Sequence, residues 1–547
     1  MSLVSGCLYA PYNSDTNAYR IPRVLHWLGQ GQWHWIHTEE IRMNVVDCGY
    51  EWLMTPLMLF THTDRFLFLL NWVSYLMLPG LFFCVLRYCG AAGRVAWWWS
   101  WLLASGWCYV MQAASVANDL FGCVYALAAV ALALKARETR NTNDLWISLL
   151  AAALATGAKQ TNIPLALLWV VAVWPQRRMV LSRPMASVVV ALLGLLVSFL
   201  PLAVFNYEWT RDWSGVSAVA AENPTGQIQS NSPFWSIVGN TFCVPLQNIE
   251  PPFLPKSGVW SRLMGQFLGT SFGAHFRFFE SFGELSPGIS ESSAGIGLVI
   301  ALMTGLSIWG AMKYRREVFR RGSLLQHFLW WTPWLLLLVF MAKDVEKQSA
   351  RHMAAYYVFL FPLLLATSGQ EPLVRKIWWQ RTALLGMAVA IGLCVVNINR
   401  PLFPVKTIMA RLAASHPQSR SIAMLKSVYD EPATFESLKG WLQEQLPPGE
   451  PLIGYTVMGS APQTEPFLWQ PWGSRRVEWV LPEDPPGQLL ESGIHFVVVE
   501  GYPDIHSSRL ESWMARYHAH LIANIAFKRG GHMDIASNVY IMRLDTN

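Results

Sequence analysis

Gln112-Ala-Ala-Ser-Val-Ala-Asn118-Asp119-Leu120-Phe121 is a polar corner between two apolar runs. Both runs read as membrane crossings. A carboxylate at a bilayer boundary costs a few kcal/mol unless something uses or satisfies it. Working outward, apolar runs of spanning character cover 66–86, 95–114, 120–134, 145–156, 163–174, 185–205, 294–312, 328–341, 354–366 and 382–396. Several fall short of the ~20 residues a crossing helix needs, and the pair around Lys159 reads as a tilted or partly re-entrant hairpin. Residues 1–12 are apolar but too short to span. The expectation is a first helix mostly lost at the start, the alternative being a chain that begins outside or as a surface segment. The fold class is therefore mainly α: a polytopic transmembrane bundle of about ten or eleven spans.

Composition agrees. Of 547 residues 53% are hydrophobic and 14% charged, with a mean hydropathy of +0.28. Soluble proteins carry about 25% charged residues. The 28 tryptophans and 27 phenylalanines suit a protein with wide lipid interfaces. Eight cysteines show no metal-type spacing. Cys48 and Cys243 fall in loops on the same predicted side and can pair; Cys84, Cys89, Cys108, Cys123 and Cys394 lie in or near spans, as small apolar residues. No secretory cleavage site, phosphate-cradling Gly-rich motif, Ser-His-Asp set or basic nucleic-acid patch is present.

Basic residues set the orientation. Arg87 and Arg94, then Lys135, Arg137 and Arg140, then Arg177, Arg178 and Arg183, then Lys313, Arg315, Arg316, Arg320 and Arg321, then Arg375, Lys376 and Arg381 all occupy alternate loops. Those loops belong on the cytoplasmic face. The external loops are then 15–64, 112–119, the turn at Lys159, 206–293, 343–352 and everything after Asn397. The 206–293 stretch has no periodicity and reads as an ordered loop with short helices. The chain divides into a membrane domain, 1–399, and a small extracytoplasmic α/β domain, 400–547. In the latter, strand-like runs at 451–458, 475–481, 495–500, 521–527 and 538–544 alternate with helical stretches at 434–445 and 507–517. Pro447-Pro448-Gly449 and Pro485-Pro486-Gly487 punctuate them.

A second boundary acid, Asp15, follows the first apolar stretch, on the same side as Asp119. It can accept a proton from a hydroxyl nucleophile or cap a helix. The recurrence at Asn118-Asp119 favours the former. Lys159, in Gly157-Ala158-Lys159, and Arg351, beside His352, suit a phosphate at the external face; a snorkelling lysine and an interfacial histidine are the plainer readings. Glu39 and Glu40 close the same loop as Asp15. Trp33 and Trp35 in that loop can stack on a saccharide, whereas Trp97-Trp98-Trp99 reads as an interfacial belt.

Asp15 after the first span, Asn118-Asp119 in the second external loop, the Gly157-Ala158-Lys159 turn, and Arg351 before an aromatic span ending at Pro362 resemble the C-type superfamily of membrane-embedded glycosyltransferases. The likeness is to bacterial protein mannosyltransferases, aminoarabinose transferases and rhizobial lipopolysaccharide sugar transferases. It extends to Glu465-Pro466-Phe467, Arg475-Arg476-Val477 and the run 494–500. It implies inverting transfer of a sugar from a polyprenyl-phosphate donor to a lipid, glycan or protein acceptor at the external face of the bacterial inner membrane. Asp15 would be the base or an acceptor-orienting acid, Asp119 would support it or bind the donor, and Lys159 and Arg351 would neutralise the leaving phosphate. Glu39 or Glu40 would fill an extra acidic position, with His352 beside the phosphate. Relatives often carry an acidic pair where this chain has Asp15-Thr16. Divalent-metal use varies across the superfamily, and no ligand cluster decides it here. A transporter or flippase is the competing expectation, and would place acids at mid-membrane depth on broken helices.

Overall fold

The computed structural model describes residues 1–222, 232–250, 257–276, 290–314, 322–343, 349–459, 462–501, 506–528 and 536–545. The expected basic cluster at 315–321, and parts of the 206–293 and 343–352 loops, lie outside these residues. Among them, four helices are long and apolar enough to cross a membrane: Leu69–Tyr88, Asp119–Thr139, Leu324–Lys343 and Ile377–Val395. Pro184–Val197 and Leu200–Thr210 together are long and apolar enough as well, but are bent by 49°, as in a broken span or a re-entrant loop. Leu298–Lys313 and Ala354–Leu365 are apolar but shorter. The protein is an integral membrane helical bundle with a small C-terminal sheet.

Several expected spans are interrupted for local chemical reasons. The 95–114 run becomes Gly93–Ala104, Trp107–Val110 and the short turn Gln112–Ala114. The break falls at Ser105-Gly106, where the Ser105 hydroxyl donates to the Leu102 carbonyl at 2.6 Å. A Cβ at Gly106 would meet the Leu103 carbonyl oxygen at 2.9 Å. The 185–205 run bends where Pro201 enters the first turn of its second half, because proline offers no backbone donor. Trp99 of the tryptophan run is fully buried against Phe361 and Trp379, so only its neighbours can serve a belt.

Burial sorts the helices. On Pro184–Val197 only Gly194 is buried, while Val188, Val189, Leu192, Leu193 and Leu196 face outward. In water such a wall would be an aggregation liability; in hydrocarbon it is the solvated face. Asp119–Thr139 is the opposite case, with 83% of its most apolar window buried. Its Ala128 and Ala129 pack on Ala151 and Ala152 of Thr142–Ala158. Small side chains let the two backbones approach closely where no hydrophobic force between helices exists.

The loops sort to two ends. At one end Trp330 Nε1 donates to the Cys89 carbonyl at 3.1 Å, Gln176 Nε2 to Ala133 at 3.1 Å, and Gln370 Nε2 to Ser307 at 2.9 Å. The described basic loops are gathered there. At the other end Asn71 Nδ2 donates to the carbonyls of Ser115 and Ala117 at 2.8 and 2.5 Å, and the Tyr356 hydroxyl to Thr161 at 2.8 Å.

The five expected strands form one sheet, ordered β2-β1-β3-β5-β4: β1 Leu452–Met458, β2 Arg476–Trp479, β3 Phe496–Gly501, β4 Ala519–Lys528 and β5 Ala536–Leu544. β1 is parallel to both β2 and β3, and β5 is antiparallel to both β3 and β4. The helix expected at 434–445 extends back over Arg420–Gln445. The described part of 206–293 holds a 17-residue helix, Pro233–Ile249, longer than expected. One face of the sheet shares a hydrophobic core with Ile21–Gln30 and Gly49–Thr61 of the first large loop. Inside that contact Glu465 is fully buried, facing His26 Nε2 at 2.8 Å and accepting from Trp479 Nε1 at 3.2 Å.

The Cys48–Cys243 pairing is corrected: both thiols are free. Cys48 is buried in the core shared with the sheet, and Cys243 in a separate cluster with Phe276.

Candidate functional site

Asp119 opens its helix, so its carboxylate sits at the positive end of the helix dipole. Gln112 aims it: Oε1 accepts the Leu120 N–H at 2.9 Å, and Nε2 donates to Asp119 Oδ2 at 2.9 Å. The polar corner at 112–121 is thus self-bracing. Asn71 holds it from the neighbouring helix. Lys159 Nζ lies against Asp119 Oδ1. The Asp119 side chain is 3% exposed and that of Lys159 14%.

Lys159 is placed by close backbone packing. It follows Thr142–Ala158 in extended geometry, before the 3-10 turn Gln160–Leu165. Asn118 Nδ2 donates to the Ala158 carbonyl at 2.5 Å. A Cβ on Gly49 would lie 2.6 Å from the Gly157 carbonyl carbon, and one on Gly157 would collide with the Val197 carbonyl oxygen. Glycine is therefore required in Gly157-Ala158-Lys159 to let three helices touch, since overpacking costs about 1–3 kcal/mol. Gly157→Ala is expected to lower the thermal unfolding midpoint in detergent and to displace the Lys159 turn. An unchanged midpoint would mean that the helix end at Val197 yields freely.

Asp15 precedes a short π-helical turn, Thr16–Arg20, whose Thr16 N–H donates to Asn13 Oδ1 at 2.7 Å. Its side chain is 33% exposed. Arg351 stands between the two acids: Nη2 is 3.8 Å from Asp15 Oδ2, and Nε is 3.6 Å from Asp119 Oδ2. These separations exceed a hydrogen bond, so the guanidinium attracts both carboxylates without being consumed by either. Arg42 Nη1 lies 3.8 Å from Asp15 Oδ1. Burial raises the Asp15 pKa, but the charges of Arg351, Arg20, Arg42 and Lys159 outweigh it and hold the carboxyl below its ordinary 3.8. The acid is a solvent-reaching carboxylate kept ionised by cations that leave its oxygens open. It can accept a proton, and the cations around it can receive a phosphate.

The expected site residues therefore come together in part. Asp15, Asp119, Lys159 and Arg351 converge. His352 joins them through Arg351, whose Nη2 lies 3.1 Å from His352 Nε2. Arginine can only donate, so in this contact the histidine nitrogen is the acceptor. Glu40 reaches the cluster indirectly, gripping Arg42 through bonds of 2.6 and 2.7 Å. Glu39 is half-buried one residue outside that pair. Trp33 stacks on Phe205 at 4.6 Å and Trp35 on Trp209 at 4.9 Å, while Trp33 remains exposed. Arg42, Gln112 and Asp47 were not anticipated. Gln112 carried a signal, as a lone amide seven residues before Asp119 in an apolar run. Among the described residues no group of three or more His, Cys, Asp or Glu side chains is arranged to hold a metal ion.

No protein-family model matches the sequence, and no curated protein matches it. Two solved structures do. The chain is similar in course to ArnT. A crystal structure of ArnT from Cupriavidus metallidurans bound to undecaprenyl phosphate aligns with a TM-score of 0.44 and 13% identity, over 98% of this chain and 96% of that one. The apo form of ArnT from the same organism aligns with a TM-score of 0.42, at the same identity and coverage.

Proposed function

We propose that the protein is a membrane glycosyltransferase. It moves a sugar, hexosyl or pentosyl, from a polyprenyl-phosphate-linked donor to an envelope lipid, glycan or protein acceptor at the extracytoplasmic face of the inner membrane. The observation that carries this reading is Arg351 between Asp15 and Asp119, with Lys159 on the other oxygen of Asp119. In the reaction, an acceptor hydroxyl attacks the anomeric carbon from the face opposite the phosphate, so configuration inverts. The bond from that carbon to the phosphate oxygen breaks, and the hydroxyl proton passes to Asp15. Phosphate gains negative charge as it leaves, and Lys159 and Arg351 meet that charge in a site largely shielded from water. Asp119 holds both cations in place. Residues 1–399 carry the chemistry in this reading, and 400–547 form an extracytoplasmic cover.

A transporter finds support in the broken span Pro184–Val197 and Leu200–Thr210. Its acids would lie mid-helix, whereas Asp119 begins a helix and Asp15 precedes one. The deciding experiment is mass spectrometry of envelope glycans and lipids from cells with and without the protein. A glycan or lipid shifted by one sugar mass, and lost with the protein, is the expected result. Identical profiles together with altered distribution of an unmodified lipid between leaflets would favour transport.

A further inference from the structure

Asp47 has no part in the chemistry above, yet it is buried against the turn that presents Lys159. It lies between the short helix Arg42–Val45 and the helix Gly49–Thr61. Its Oδ1 accepts the Gln160 N–H at 2.6 Å, and its own carbonyl accepts from Arg23 Nη1 at 2.8 Å. Across Lys159, the Ala158 carbonyl is held by Asn118 at 2.5 Å. The lysine thus sits between two peptide groups, each gripped by a side chain from a different loop. A lysine stem carries about 2 kcal/mol of rotamer entropy, so where its ammonium points depends on how firmly its backbone is fixed. Burial pushes the Asp47 carboxyl up to about 7, against the opposing pull of Lys159, the Gln160 N–H and Arg20. Near neutrality it works more as a hydrogen-bond acceptor than as a permanent counter-charge.

We propose that Asp47 is a positioning residue that clamps the Gln160 amide, so that Lys159 is aimed at Asp119 and at an anionic ligand. For the identity of that ligand the proposal rests on the reading given under Proposed function; the clamp itself does not. The test uses the full-length protein in detergent, with Asp47→Ala and Asp47→Asn. The rate of modification of Lys159 by an amine-reactive reagent is followed by mass spectrometry, with Lys135 at the far end of the bundle as the internal control of folding. Affinity for undecaprenyl phosphate is measured in parallel.

Asp47→Ala speeds Lys159 labelling several-fold without changing Lys135, and weakens undecaprenyl phosphate about tenfold, a loss of ~1.4 kcal/mol. Asp47→Asn keeps an acceptor oxygen and stays close to wild type in both measurements. Unaltered Lys159 labelling in Asp47→Ala overturns the proposal. So does an Asn variant as impaired as the Ala variant, because charge rather than the clamp would then be at work. Wild-type protein that ignores undecaprenyl phosphate counts against the donor reading, and the labelling result still decides the clamp.

Discussion

Asp15→Asn is expected to abolish sugar transfer while the protein still inserts and folds at wild-type level. Positioned acid–base groups contribute about 10²–10⁴-fold, and an amide cannot accept the hydroxyl proton. The fold should tolerate the change because Asp15 is one-third exposed and its nearest cations, Arg42 and Arg351, stand 3.8 Å away. The pH dependence has a definite sign. The surrounding cations depress the Asp15 pKa below 3.8, so the base is ionised at neutrality and stays so on mild acidification. Transfer that depends on it falls only below the ordinary carboxylate range. Any stability from its ionised form is likewise present above the unfolded value and lost as pH falls through the folded one. Envelope mass spectrometry on cells carrying the variant, with membrane-fraction immunoblots as the insertion control, checks the result. Full transfer by Asp15→Asn would remove this residue from the chemistry.

Arg351→Ala should be almost as damaging, by about 10²–10³-fold, the range seen when one donor to a developing oxyanion is removed. Arg351 is the only one of the four converging groups that approaches both acids, at 3.8 and 3.6 Å. Its removal takes a counter-charge from Asp119, which is 3% exposed, and from the space between the two carboxylates. Arg351→Lys should recover only part of the loss, since an ammonium is a point charge and cannot face both carboxylates with separate nitrogens. A double variant, Asp119→Asn with Arg351→Ala, separates the effects. If the single variant fails only because an acid is left uncompensated, the double one regains transfer along with stability; if Arg351 itself meets the phosphate, it regains stability but not transfer. Wild-type transfer by Arg351→Ala would break the link between this cluster and a leaving phosphate.

Some of this was legible from residues alone, and the reasons differ by element. Asp119 and Lys159 stood out because charge is rare between apolar runs, and their meeting follows from loops that alternate between two ends. The strands were readable because short apolar runs are punctuated by two Pro-Pro-Gly turns. Helix breaks at Ser105-Gly106 and before Pro201 were hidden, since hydropathy averages over a polar or proline residue flanked by leucine and tryptophan. Arg42 and Asp47 escaped notice because they lie in a loop where polar side chains are commonplace. Their importance comes from partners, Asp15 for Arg42 and Gln160 for Asp47, that no local pattern connects. The Cys48–Cys243 pairing failed for the same reason: sharing a side of the membrane does not place two residues in one cluster.

The core common to the sheet and the Ile21–Gln30 helix has a practical meaning. Cutting the protein at residue 399 would not release two working modules. It would strip the inner surface from the very loop that presents Asp15 and leave His26 and Glu465 without each other. Chimeras that exchange the tail between related proteins should therefore carry the opening loop along with it, and a natural variant at one surface invites a matching change at the other.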